Sequence, residues 1–203
     1  MIAIIDYGMG NLRSVQKGLE KAGYPAVIAT APEEFEEARG IILPGVGSFG
    51  DTMANLRVKG FDLAIRRVIE EGKPFLGICV GLQVLFDYGE EMGRHEGLGI
   101  FPGRVRRFTG DLKIPHMGWN QVMLKRKNPL FDGIPDRSYF YFVHSYYAET
   151  PAQDAVSGTT SYGVEFPCVM VRGNVFAVQF HPEKSSTLGL RVLANFGKLV
   201  TSC

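Results

Sequence analysis

The sequence predicts an α/β protein of the doubly wound kind: a mostly parallel central sheet flanked by helices, with an antiparallel β extension in the second half. Three observations lead there. Residues 1–79 alternate short, continuous apolar runs with stretches of helical spacing, and uninterrupted apolar strands are what a sheet covered on both faces requires. Residues 103–180 lose the helical pattern and become β-rich and aromatic. The last segment, about 186–200, returns to helical spacing.

MIAIID (1–6) is a buried strand. Leu12, Val15, Leu19 and Ala22 then fall on one face of a helix. PAVIAT (25–30) is a second strand, EEFEEA (33–38) a short acidic helix and GIIL (40–43) a third strand. A helical stretch covers about 52–72, with a break near Gly60. PFLGIC (74–79) is a fourth strand, followed by a helix from about Val80. The extension consists of GRVRRF, NQVMLK, SYFYFVHSYYAE, CVMVR and NVFAVQF, with Arg172-Gly173-Asn174 as a hairpin turn. Leu188, Val192, Phe196 and Leu199 line one face of the closing helix.

With 203 residues, 1–203 is expected to be a single domain. Apolar residues make up 45% and charged residues 21%, ordinary for a soluble fold. A net charge of +1 points to neither nucleic acid nor membrane as a partner. The apolar start is short, lacks a basic flank and runs into a Gly-rich turn, so it reads as a strand rather than a signal peptide. No apolar run reaches the length of a membrane span. A cytoplasmic protein is expected. The three cysteines, Cys79, Cys168 and Cys203, form neither a disulfide framework nor a zinc spacing. Cys168 is expected to be buried in its strand and Cys203 to fray at the terminus.

Ligands of open parallel sheets sit beyond the carboxyl ends of the strands. Three loops are then of interest: PGVGSFG (44–50), Cys79-Val80-Gly81 and His181-Pro182-Glu183. In GICVG, a strand turns sharply into a helix at Cys79, with Gly77 and Gly81 relieving the crowding. The helix start favours thiolate and offers N–H groups, from Val80 on, to an oxyanion. The plain alternative is a buried, inert cysteine between packing glycines. His181 ends an apolar strand and Glu183 follows it. Nucleophile, base and orienting carboxylate are the roles that Cys79, His181 and Glu183 supply. Gly45, Gly47 and Gly50 spell a dinucleotide-type fingerprint, but the next strand ends in Cys79 and not in an acid. The better reading is a Gly loop that aims a backbone N–H at a developing oxyanion. Asn11, in IDYGMGN (5–11), is a plain candidate cap for the helix that follows. The clusters Arg104, Arg106, Arg107 and Lys125, Arg126, Lys127 read as solvated faces, and His95, His116 and His144 are given no catalytic role.

PGVG (44–47), GICVGLQ (77–83) and HPE (181–183) together resemble the class I, triad-type glutamine amidotransferases. IDYGMGNLRSV (5–15), LPGVGSFG (43–50), IPHMGWNQV (114–122), YFVHSYYAE (141–149) and QFHPEKS (179–185) bring the resemblance closer to the glutaminase subunits of histidine biosynthesis. It spans nearly the whole chain. It implies that Cys79 attacks the side-chain amide of glutamine, His181 moves protons and Glu183 orients His181. Gly45, Val46 and Val80 would form the oxyanion hole. Gly47, Gln83, Ser145 and Tyr146 would bind the substrate. Ammonia would pass to a separate cyclase subunit, in a heterodimer that makes imidazole glycerol phosphate and an aminoimidazole carboxamide ribotide. Asn11, Trp119, Asn120 and Lys184 would face that partner. Each has a plain alternative: core for Trp119, turn for Asn120, solvent for Lys184. No cofactor and no metal are implied. Rival readings are an amidotransferase of another pathway, a cysteine hydrolase or chaperone-like protein on a similar sheet, and a non-catalytic regulator that keeps a dead glutaminase fold, against which the intact motif residues weigh.

Overall fold

The computed structural model of the chain describes residues 1–35 and 37–202. Its first half builds the parallel layer. Strands β1 (Ile2–Ile5), β2 (Ala26–Ala29), β3 (Gly40–Leu43) and β4 (Phe75–Ile78) alternate with helices α1 (Leu12–Lys21), α2 (Phe49–Val58) and α3 (Phe61–Glu70). β1, β3 and β4 are buried along their whole length, as their unbroken apolar sequence requires. The helical stretch expected at 52–72 is two helices, parted by Gly60 at φ 73°. Ser48 starts α2, accepting from the Asp51 N–H and donating to the Asp51 carboxylate. The acidic helix expected at 33–38 is a 3₁₀ turn at Pro32–Phe35, and Glu36 lies outside the described residues.

The segment after β4 departs from expectation. The helix there, α4 (Val80–Gln83), is one turn long. Two strands absent from the sequence reading follow, β5 (Phe86–Gly89) and β6 (His95–Glu96). The remaining strands are β7 (Phe101–Arg107), β8 (His116–Leu124), β9 (Ser138–His144), β10 (Tyr146–Glu149), β11 (Val156–Tyr162), β12 (Val164–Arg172) and β13 (Val175–Val178), before α5 (Ser186–Ser202). β11 was also not anticipated. The hairpin at Arg172–Asn174 is present, with Gly173 at φ 57°. Cys203 lies outside the described residues.

Nine strands form one sheet in the order β2-β1-β3-β4-β13-β12-β11-β8-β9. The pairs from β2 to β13 are parallel, and those from β13 to β9 antiparallel. A second sheet has the order β10-β7-β5-β6. SYFYFVHSYYAE is therefore two strands: β9 belongs to the large sheet, β10 to the small one, and the chain crosses between them at Ser145. Phe140, Phe142, Phe166 and Phe180 pack in the core beneath this crossing. On α5, Val192 and Phe196 are buried while Leu188 and Leu199 are half-buried against the core, as the spacing predicts.

Arg104 and Arg106 are not simply solvated. Both are half-buried and paired with Glu149, and Arg104 also reaches Glu90. No described helix is long and apolar enough to cross a membrane.

Candidate active site

β3, β4 and β13 are neighbours in the parallel part of the sheet. Their carboxyl ends therefore deliver three loops to one place. Leu43 pairs with Gly77, and Ile78 with Val178, so Pro44-Gly45, Cys79 and Gln179 emerge side by side. A cavity of about 360 Å³ lies there, within the range of small-ligand sites. Cys79, Val80, His181, Val46 and Gly47 form one wall, and Gln83, Ser145 and Tyr146 line it too.

Cys79 sits on a tight elbow with φ 56° and ψ −110°. A left-handed non-glycine residue is strained by about 1–3 kcal/mol, and such strain clusters at functional sites. The turn is possible because its neighbours lack side chains. A Cβ on Gly77 would stand 2.6 Å from the Gly81 carbonyl oxygen, and one on Gly81 would stand 2.1 Å from that of Leu43. The elbow holds the thiol out of open solvent: Cys79 is 3% exposed and meets the cavity. With α4 a single turn, the helix dipole is small, and local N–H groups are what the elbow offers. Its sulfur accepts from Gln179 Nε2 at 3.6 Å and lies 3.9 Å from the Val143 carbonyl oxygen.

His181 is fixed from both sides of its backbone. Its N–H donates to the Tyr141 carbonyl of β9, and its carbonyl accepts from the Ser185 hydroxyl at 2.6 Å. Its Nδ1 lies 2.8 Å from Glu183 Oε1. The Glu183 side chain is 1% exposed, and its second oxygen has no hydrogen-bond partner. Burial works against the His181 imidazolium, but Cys79 and Glu183 outweigh it and push the pKa up to about 10. The ring thus stands between Cys79 and the Glu183 carboxylate, both of which favour its protonated form. Glu183 stands behind His181 rather than on the cavity wall.

Gly45 packs under the loop: a Cβ there would stand 2.5 Å from the Gly81 nitrogen and 2.7 Å from Val80 Cβ. Val46 and Gly47 face the cavity. The loop at 6–11 leans on this one, with Met9 against Gly47 and Gly10 beside Pro44. Asn11 stands at the start of α1 but its side chain makes no capping bond. Tyr7 is buried below, and burial pushes its hydroxyl up to about 12. That hydroxyl and the Thr52 hydroxyl are buried without meeting hydrogen-bond geometry.

Gln83 Nε2 donates to the Tyr146 carbonyl and to Gln179 Oε1, each at 3.0 Å. Trp119 is 52% exposed and lies edge-on to Tyr141, whose ring the Lys184 ammonium approaches to 6.0 Å. Lys184 also reaches the cavity rim. Asn120 is mid-strand in β8, not in a turn, and Asn11 and Trp119 lie off the cavity wall.

Several residues at the site escaped the sequence reading, among them Gln179, buried against the Cys79 sulfur, and Glu91 on the cavity wall. Gln179 is an amide inside the apolar run FAVQF, and that break in pattern is a readable signal. Glu91 lines the cavity from the β5–β6 loop and accepts from the Phe49 N–H at 2.8 Å. Nothing local in DYGEEMG distinguishes Glu91 from Glu90.

Comparison with known proteins agrees with this geometry. The family model "Glutamine amidotransferase class-I" matches residues 3–199. Imidazole glycerol phosphate synthase subunit HisH of Moorella thermoacetica is 58% identical over 199 residues, covering 98% of this chain and 95% of that protein. The protein of the same name in Geobacter sulfurreducens is 51% identical, covering 98% of each. Among solved structures, PurLQS from Thermotoga maritima superposes with a TM-score of 0.78 at 18% identity, covering 99% of this chain and 97% of that one. A crystal structure described as a glutamine amidotransferase gives 0.77 at 20%, covering 99% and 100%. These distant structures establish the shared fold. The family match along nearly the whole chain, together with HisH relatives identical at half their positions or more, shows that the chain belongs to the class-I glutamine amidotransferases, among the HisH subunits of imidazole glycerol phosphate synthase.

Proposed function

We propose that this chain hydrolyses glutamine through Cys79, His181 and Glu183. The observation that carries the reading is the buried Nδ1–Glu183 contact at 2.8 Å, with the His181 ring turned to Cys79 on its strained elbow. Cys79 sulfur attacks the amide carbon. The developing oxyanion is held by backbone N–H groups of Val80 and of the Gly45-Val46-Gly47 loop. As the C–N bond breaks, His181 gives its proton to the nitrogen and ammonia leaves. A water then attacks the thioester, His181 takes its proton, and glutamate departs as the sulfur is released. Glu183 holds the ring in one tautomer throughout.

The rest of the cavity suits the amino-acid end of glutamine. Both Gln83 amide hydrogens are engaged by Tyr146 and Gln179, so its oxygen is the group left to accept from the α-ammonium. Glu91 supplies the opposite charge from the facing loop. The backbone at Ser145 and Tyr146 takes the α-carboxylate, and Gly47 leaves room beside it.

The ammonia passes to a cyclase subunit of imidazole glycerol phosphate synthase, in a heterodimer placed in the cytoplasm. There it enters imidazole glycerol phosphate and an aminoimidazole carboxamide ribotide. Trp119, Asn120, Lys184 and Asn11 are assigned to that interface. The support is that exposed Trp119 and Lys184 both pack on the half-buried Tyr141 ring beside the cavity. The test is glutamate release by the chain alone and with the cyclase and its acceptor. Activity that rises with the partner, disappears in Cys79→Ala, and is bypassed by ammonium salt supports the reading. Failure to hydrolyse glutamine under all these conditions would transfer the triad to another substrate.

A further inference from the structure

Two histidines that the mechanism leaves idle stand in a continuous polar chain. His144 Nδ1 lies 2.7 Å from the Tyr146 carbonyl oxygen, His116 Nδ1 lies 2.9 Å from His144 Nε2, and Asn120 Nδ2 lies 3.2 Å from His116 Nε2. Both imidazoles are buried. Their wall is aromatic: Tyr162 stacks on His116 at 4.1 Å, Phe142 stacks on its ring at 5.2 Å, and Phe108 and Phe166 meet His144 edge-on.

The ends of the chain fix its direction. A carbonyl oxygen can only accept, so His144 carries its hydrogen on Nδ1. Asn120 is oriented independently, because its Nδ2 also donates to the Ser161 carbonyl and its Oδ1 accepts from the Gln121 N–H. It therefore donates to His116 Nε2, and the His116 hydrogen sits on Nδ1, facing His144. Every link is satisfied with both rings neutral. A further proton on either ring would set two N–H groups against each other.

The Tyr146 carbonyl is also where Gln83 donates, and Gln83 holds Gln179, which donates to the Cys79 sulfur. Resting on the glutaminase reading, we infer that His116 and His144 are positioning residues. Their one-way hydrogen-bond chain from Asn120 pins the Tyr146 carbonyl, and with it the Gln83 amide that grips the substrate. The chain begins next to exposed Trp119 and ends at the Tyr146 carbonyl, where it meets the Gln83–Gln179 link to Cys79, so whatever seats on β8 has a polar route to the glutamine site.

Two measurements test this. In ¹⁵N spectra of the wild-type chain at pH 7, both histidines should show a protonated Nδ1 and a bare Nε2, the less common tautomer of free histidine. A bare Nδ1 on either, or an imidazolium, overturns the chain. In glutaminase assays with the cyclase, His144→Phe should raise KM for glutamine about tenfold with a smaller change in kcat. His144→Asn, whose amide can still donate to Tyr146, should recover most of the loss, which a purely space-filling role would not produce. A folded His144→Phe with wild-type KM overturns the positioning role. If even the wild type hydrolyses no glutamine, the glutaminase reading falls, while the tautomer spectrum still decides the chain.

Discussion

Gly45→Ala tests the oxyanion role proposed for the loop at 44–50. Gly45 does not use a left-handed backbone, so alanine is conformationally acceptable there and the effect is steric. The new Cβ would stand 2.5 Å from the Gly81 nitrogen, whereas ordinary contacts run from 3.4 to 4 Å. Relief needs a displacement of roughly 1 Å between the loop and the Cys79 elbow, and a misplacement of that size can lower a rate ~10²-fold. Loss of one oxyanion donor gives a similar figure, about 10²–10³ in kcat. The expected result in a glutamate-release assay is therefore a kcat about 10²-fold lower with little change in KM, because Gln83, Glu91 and Tyr146 are untouched. Gly8→Ala is the control: its Cβ meets nothing within 4 Å, although φ of +95° strains it. That variant should lose stability by about 1 kcal/mol and keep its kcat. A Gly45→Ala protein with wild-type melting temperature and wild-type kcat would refute the reasoning.

Other consequences can be checked in the same preparations. Glu183→Gln keeps the shape but removes the charge; His181 should titrate below its value of about 10, and kcat should fall on the order of 10³-fold or more, read by NMR titration and steady-state kinetics. Stability should decline on the acid side. His116 is held to about 4 by burial, and His144 to about 3, first by burial and further by the neighbouring His116 and His181, against 6.5 for the free residue. Their contribution is present above pH 6.5 and is lost as pH falls toward 4, so melting temperature should drop over that window and drop less in His144→Asn. His181 has the opposite sign: its contribution is whole below 6.5 and is lost as pH rises through 10. Tyr7→Phe removes a buried hydroxyl that approaches Thr52 and Val46 without meeting hydrogen-bond geometry, so denaturation should show stability changed by no more than about 1 kcal/mol.

The parallel half of the fold was legible because buried strands carry their signal locally: IAII, GIIL and FLGI need no partner to be recognised. The convergence of Cys79, His181 and Glu183 was legible for a related reason, since strand-end loops converge in any such sheet. What escaped depends on pairing. β5, FDYG, and β6, HE, have neither length nor alternation, and they exist only as partners of β7 and of each other. β11, VSGTTSY, is a buried strand rich in small polar residues. Glu91 arrives on the loop between β5 and β6, so it could not be placed before they were. His116 and His144 were set aside as single residues; their meaning lies in a register that puts them opposite each other on β8 and β9.

The crossing at Ser145 divides the site between two structural territories. Cys79, His181 and the 44–50 loop hang from the nine-stranded sheet, while Tyr146 begins a strand of the four-stranded one and Glu91 lies on a loop of that sheet. Damage should sort accordingly. Lesions that loosen β5, β7 or β10 should weaken substrate capture while the chemical step survives at saturation, and lesions under β3, β4 or β13 should do the reverse. A random mutant library plotted as KM against kcat should separate into two arms, and the arm a variant falls on should report which sheet it lies in.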